Sequence, residues 1–103
     1  MSLLGFAAKA GKLSFGMNAA VGAVKAGRAS LLTVAGDISE KSKKEVKFFA
    51  DKYSVRLLVL RGFNIETVTA AVGRKCGILS VNDSGFADAF LKAYVEGGNA
   101  NDE

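Results

Sequence analysis

Five polar side chains stand out because glycines and small apolar residues surround them: Asn18, Lys25, Arg28, Arg74 and Lys75. In FGMNAAVGAVKAG (15–27), Met17, Ala20, Val21 and Val24 recur at the i, i+3, i+4, i+7 spacing of an amphipathic helix, which turns Asn18, Gly22 and Lys25 to the opposite side. A helix that starts at Gly16 and Met17 offers free backbone N–H groups to an anion. An asparagine amide carries both a donor and an acceptor, as reading a base edge requires. The competing reading is local, with Asn18 simply capping its helix. In GRKCG (73–77), glycines flank Arg74, Lys75 and Cys76 just before an apolar run. This is either a phosphate-contacting loop or a helix-to-strand turn with solvated charges. The cations beside Cys76 favour a thiolate, but no second group is present to act with it, and a small packing residue is the simpler role.

Other chemistries fail on residue types and spacing. With no histidine and one cysteine in 103 residues, a Cys/His zinc site, a Ser–His–Asp triad, a Cys–His dyad and an internal disulfide are all excluded. GFAAKAGK (5–12) imitates a nucleotide P-loop, but five residues rather than four separate Gly5 from Gly11, and Leu13 stands where a magnesium-holding Ser or Thr belongs. Asp83 and Asp88 are five residues apart, a poor spacing for one helical face, and Asp83 reads better as a helix cap. The expectation is a protein that is not an enzyme, without metal or cofactor.

Charge is unevenly distributed. Residues 1–36 carry Lys9, Lys12, Lys25 and Arg28 and no acid, residues 37–81 hold nine basic and five acidic groups, and five acids face Lys92 alone from Asn82 onward. A basic body of net charge +4 with an acidic end suits a polyanionic partner. The basic run Lys41–Lys47, with Glu40, Glu45 and Asp51 in and around it, reads as a solvated helix face. The opening MSLLGFAAKAGKL lacks the basic start and uninterrupted apolar run of a signal peptide, and no apolar run approaches the roughly 20 residues of a membrane span. A cytoplasmic protein with no membrane partner is expected.

The elements that must position these residues follow from hydrophobic period and turn chemistry. Ser2 to about Gly11 reads as a helix capped by Ser2, LSF (13–15) as a short strand, and Met17 to Gly27 as the second helix. SLLTVA (30–35) and VRLLVL (55–60) both read as strands buried on two faces. Between them lies a helix capped by Asp37 or Ser39, with Val46, Phe49, Ala50 and Tyr53 as its buried stripe. Asn64 caps a short helix through Val72, and GILSV (77–81) is the fourth strand. Phe86, Phe90 and Tyr94, with Ala87, Leu91 and Val95, make the last helix. This alternation implies a mostly parallel or mixed sheet with helices on both sides. One domain over residues 1–96 and a flexible acidic tail over 97–103 are expected.

In order along the chain, AGKLSFG-N, VKAGRASLLTVAGDISEKSKKEV and DSGFADAF resemble the L7Ae/L30e superfamily of ribosomal proteins, from about residue 3 to residue 93 and closest to its small bacterial members. The matching landmarks are Gly-Lys, G-x-N, Lys/Arg-Gly-x-Ala and Ala-x-Asp. The resemblance implies a three-layer α/β/α sandwich with a four-stranded mixed sheet. It also implies binding of structured RNA, typically kink-turns, in ribosome-associated particles with ribosomal proteins as neighbours. The start of the second helix would enter the major groove beside sheared G·A pairs, and the loop before the last strand would pack on an extruded nucleotide. Carried onto this chain, Gly16 and Asn18 match the glycine and the base-reading asparagine, with Met17 between them. Lys12 and Arg28 match flanking basic positions, Lys25 lies on the same helix, and Arg74, Lys75, Cys76, Gly77 and Ile78 fall in the later loop. The strongest kink-turn binders of the family carry a glutamate directly after the asparagine and a lysine three residues further. Here Ala19 and Gly22 hold those places, and Gly36 replaces a common acid, which implies weakened base-specific contacts. A protein-interaction or scaffold module that self-associates through small residues 19, 22, 23 and 26 is the alternative.

Overall fold

The computed structural model describes residues 2–93; the side chain of Ser2 and residues 94–103, with Tyr94, Val95 and the acidic tail, lie outside the described residues. Nine elements alternate: α1 (Ser2–Lys9), β1 (Leu13–Phe15), α2 (Met17–Lys25), β2 (Leu31–Ala35), α3 (Glu40–Lys52), β3 (Arg56–Leu60), α4 (Ile65–Val72), β4 (Ile78–Val81) and α5 (Ser84–Leu91). The strands form one sheet in the order β1-β4-β2-β3. β4 runs antiparallel to both β1 and β2, whereas β2 and β3 are parallel, with Leu31 opposite Arg56 and Ala35 opposite Leu60. α2 and α3 pack together on one face of this mixed sheet; α1, α4 and α5 gather on the other. The α/β/α sandwich is therefore present.

Burial follows position in the sheet. The central strands β2 and β4 are buried at every residue, and their apolar runs fill the core from both sides. β3 departs from the expectation of a second fully buried strand: it lies at the sheet edge, with Arg56 exposed and only Leu60 fully buried. Apart from Arg56, which stands opposite Leu31, its residues are as apolar as those of β2, so for them strand order makes the difference. Leu4, Leu31, Leu32, Leu60, Leu79 and Phe90 are the largest side chains wholly shut from solvent. Removing any one to Ala in such a close-packed core costs about 2–5 kcal/mol.

Side-chain caps fix three helix starts. Ser39 accepts from the Ser42 N–H at 3.1 Å, Asn64 from Thr67 at 2.8 Å and Asp83 from Phe86 at 2.9 Å. Of the two cap candidates for α3, Ser39 takes the role. Asp37 instead accepts the Ile65 N–H at 2.8 Å, tying the turn after β2 to the start of α4. On α3 the buried residues are Val46 and Ala50; Phe49 is half-buried against α2, and Tyr53 is 38% exposed where a buried position was expected. No helix among the described residues is long and apolar enough to cross a membrane.

Candidate nucleic-acid interface

α2 begins without a side-chain cap. Gly16 holds φ 89° and ψ 167°, a conformation open essentially to glycine alone, and no side chain bonds the first turn. Asn18 is exposed and does not cap, which removes the local reading of that residue. The Gly16 N–H, expected to be free, is occupied: it donates to the Ile78 carbonyl at 2.8 Å. The amides left at this helix end are therefore those one residue further on, from Met17 onward. The same bond does more than satisfy Gly16, because it ties the start of α2 to the loop before β4.

That loop is held by its backbone at successive points. The Gly73 N–H donates to the Thr69 carbonyl at 2.8 Å, and the Cys76 N–H donates to the Thr69 hydroxyl at 3.2 Å. The Gly77 carbonyl accepts from Ala35 at 2.7 Å, one residue before Ile78 meets Gly16. Gly77 is also dictated by space, since a Cβ there would stand 2.8 Å from Ile65 and 2.9 Å from Ile38. With the backbone fastened inward, Arg74 and Lys75 are exposed. The Arg74 guanidinium lies 4.8 Å from the centre of the Phe15 ring, the residue that leads into Gly16. Cation–π contact of this kind is worth about 0.5–1 kcal/mol at exposed sites.

Cys76 and Ile78 turn the other way. Both side chains are buried, 8% and 9% exposed, so they anchor the loop in the core instead of offering side chains at its surface. Burial pushes the Cys76 thiol up, against the opposing pull of the Arg74 charge, so the reactive thiolate that the cationic neighbours suggested is disfavoured.

Along α2 the inward face is Ala20, Ala23 and Val24, with Met17 and Val21 half-buried. The sequence period placed Val21 where Ala23 is. The exposed face carries Asn18, Ala19, Gly22, Lys25 and Ala26. Met17, Asn18, Val21, Gly22 and Lys25 line a shallow groove shared with Glu45 and Phe49 of α3, and the Lys25 ammonium sits 5.3 Å from the Phe49 ring centre.

The site residues fall into two groups. Gly16, Met17 and Asn18 open α2 where β1 ends, and Arg74 and Lys75 lie in the loop before β4 that the Gly16–Ile78 bond and the Arg74–Phe15 contact set beside it. Lys12 and Arg28 lie at the other end of those strands: the Lys12 carbonyl accepts from Asn82, just past β4, and Arg28 follows α2 into Ser30, whose N–H donates to Val81. Four residues of β4 separate the two groups, roughly 14 Å at about 3.4 Å per residue. Lys25, in the last turn of α2, stands between them. Sequence reasoning missed Phe15, Thr69 and Asn82, which hold this surface in shape. Asn82 donates to Ser14 at 2.9 Å and accepts from Ser80 at 2.8 Å, locking β1 to β4.

A family profile described as "Ribosomal protein L7Ae/L30e/S12e/Gadd45 family" matches residues 1–91. The chain belongs to this family. It is 33% identical over 97 residues to the RNA-binding protein YlxQ of Enterococcus faecium, covering 94% of this chain and 91% of that one. It is 30% identical over 87 residues to the large ribosomal subunit protein eL30 of Yarrowia lipolytica, covering 82% and 79%. Among solved structures, a protein of unknown function from Bacillus halodurans superposes with a TM-score of 0.83 at 29% identity, covering 92% of this chain and 94% of that one. The Giardia lamblia 15.5kD RNA binding protein shares the fold, with a TM-score of 0.72 at 16% identity over 92% and 82% of the two chains.

Proposed function

We propose that this L7Ae/L30e-family chain binds structured, kink-turn-like RNA without catalysing a reaction, in the cytoplasm and in association with the ribosome, its RNA and its proteins. The observation that carries the reading is the Gly16–Ile78 hydrogen bond, which presents the uncapped start of α2 and the Arg74–Lys75 loop as one surface. A splayed RNA backbone fits such a junction: exposed amides and two cations take phosphates, while Asn18 reaches a base edge. Lys25, Arg28 and Lys12 carry positive charge from there toward the far end of the sheet. The RNA-binding description of the Enterococcus relative, aligned over nearly the whole chain, supports the same assignment.

Base reading is reduced because Ala19 and Gly22 supply no hydrogen-bonding side chain on the exposed face of α2. The test is a titration of labelled kink-turn and plain duplex RNA at two salt concentrations. Asn18→Ala should weaken kink-turn binding roughly tenfold and leave duplex binding nearly unchanged, since one good base contact is worth about 1–3 kcal/mol. Lys12→Gln with Lys25→Gln should weaken both and lower the salt slope by about 2. Ala19→Glu with Gly22→Lys should raise kink-turn affinity, and a Cβ added at position 22 meets nothing within 4 Å. Binding to neither RNA at low salt, with concentration-dependent sedimentation of the protein alone, would favour self-association through α2. That face is narrower than the spacing of small residues suggested, because Ala23 is buried.

A further inference from the structure

The outermost line of α3 carries a pattern that the interface above does not use. Lys41, Lys44, Phe48 and Lys52 are all exposed, and at about 100° per residue they fall within an arc of about 80°, opposite the buried Val46 and Ala50. The other two lysines of the helix are engaged beside this line, Lys43 with Glu40 at 3.7 Å and Lys47 with Asp51 at 3.4 Å. Lys41 and Lys44 have no ion pair among the described residues, and Lys52 leans over aromatic rings, 5.8 Å from the centre of Phe48 and 5.7 Å from that of Tyr53. Phe48 is 58% exposed and touches Phe49 only edge-on, with ring centres 5.2 Å apart and planes at 81°. An exposed aromatic ring, with Lys41 and Lys44 unpaired on one side and Lys52 resting near it on the other, thus sits in a stripe roughly 16 Å long.

We infer that this stripe is a second RNA contact, which takes a single-stranded segment leaving the structured element, with phosphates along Lys41, Lys44 and Lys52 and one base stacked on Phe48. Three observations select that occupant. Within the arc the charge is all positive and spaced by one to two helical turns, as a flexible polyanion can follow, while the exposed Glu45 beside it lines the α2–α3 groove. An exposed ring among cations is the stacking platform on which single strands bind without sequence preference. The stripe is also continuous with the proposed RNA surface, because Phe49, which Phe48 meets, lies under Lys25 in the α2–α3 groove that holds Asn18. An apolar protein helix would find two separate rings, Phe48 and Tyr53, with the Lys52 ammonium lying over both. The inference rests on the RNA-binding reading and extends it to a part of the molecule remote from the Arg74 loop.

The experiment compares two fluorescently labelled RNAs, a blunt kink-turn hairpin and the same hairpin with a ten-nucleotide uridine extension. Wild type should bind the extended RNA more tightly than the blunt one. Phe48→Leu should weaken binding of the extended RNA by roughly 5- to 100-fold and leave the blunt RNA unaffected, while Phe48→Trp keeps the gain. Lys41→Gln, Lys44→Gln and Lys52→Gln together should lower the salt slope for the extended RNA by about 2. Each substitution is on the solvent face, and an unchanged circular dichroism spectrum and urea midpoint verify the fold. Equal wild-type affinity for the two RNAs, or equal losses on both from Phe48→Leu, overturns the stripe and spares the α2 interface. Failure of wild type to bind either RNA overturns the function itself. Binding of the stripe to an acidic peptide in preference to the extension overturns the choice of RNA as its occupant.

Discussion

The starts of α2 and α4 make an instructive contrast. Both helices are short, and both begin beside the same end of the sheet. α4 closes its first turn with Asn64, which takes the Thr67 N–H and the Thr67 hydroxyl at 2.8 and 2.9 Å. It is braced further by Asp37 on Ile65. α2 begins at a glycine with positive φ, has no side-chain cap, and leaves its polar side chain Asn18 in solvent. A cap is worth about 1 kcal/mol. A helix that forgoes it keeps its first-turn amides available to an outside acceptor, so the difference separates an element built for stability from one built for contact.

The largest test of that contrast is Gly16→Val. The backbone there is strained for any residue with a Cβ, so stability should fall by about 1–3 kcal/mol. RNA affinity should fall as well, because the bond to Ile78 that aligns α2 with the loop is disturbed. Urea denaturation and an RNA titration read the two effects, and a stable variant with lost affinity would isolate the alignment. Asn64→Ala should come next, with about 1 kcal/mol of stability lost by the same denaturation measurement and RNA affinity within twofold of wild type. Were affinity to fall with stability, the division of labour between the two helices would be wrong.

The smallest expected effect concerns Cys76. Its thiol is raised by burial in the folded state, so the unfolded chain loses the proton first as pH rises. The unfolded state then binds fewer protons than the native one, and stability declines with rising pH above about 8.5, where free thiols titrate. Urea midpoints at pH 7 and pH 9.5 should therefore fall further in wild type than in Cys76→Ala. Below that range the thiol contributes no slope.

Much of the architecture was legible from local pattern. Asn64 and Asp83 act as the caps their types announce, and the segments read as strands at 31–35 and 78–81 are the two central strands. Where the reading slipped, residue type was silent about neighbours. VRLLVL is as apolar as SLLTVA, but its strand lies at the edge, and Phe49 and Tyr53 continue a helical period although Phe49 is half-buried beside α2 and Tyr53 is an exposed helix end. Ala23 displaces Val21 from the core because α2 lies close over β4 and β1, which favours a small side chain beneath it.

The same division holds for the candidate interface. By itself the sequence determined which side chains are available: a basic body, a glycine before Asn18, cations between glycines at 73–77, and Ala19 and Gly22 where hydrogen-bonding groups would strengthen base contact. Those are properties of composition and short spacing. Tertiary structure alone decided which of them meet. Antiparallel pairing of β1 with β4 brings residue 16 beside residue 78, and so sets the start of α2 beside the loop that carries Arg74. It also sends Lys12 and Arg28 to the opposite end and turns Cys76 and Ile78 inward. Long-range strand pairing sets such distances, and no local period encodes it, because it is fixed only when the whole core closes.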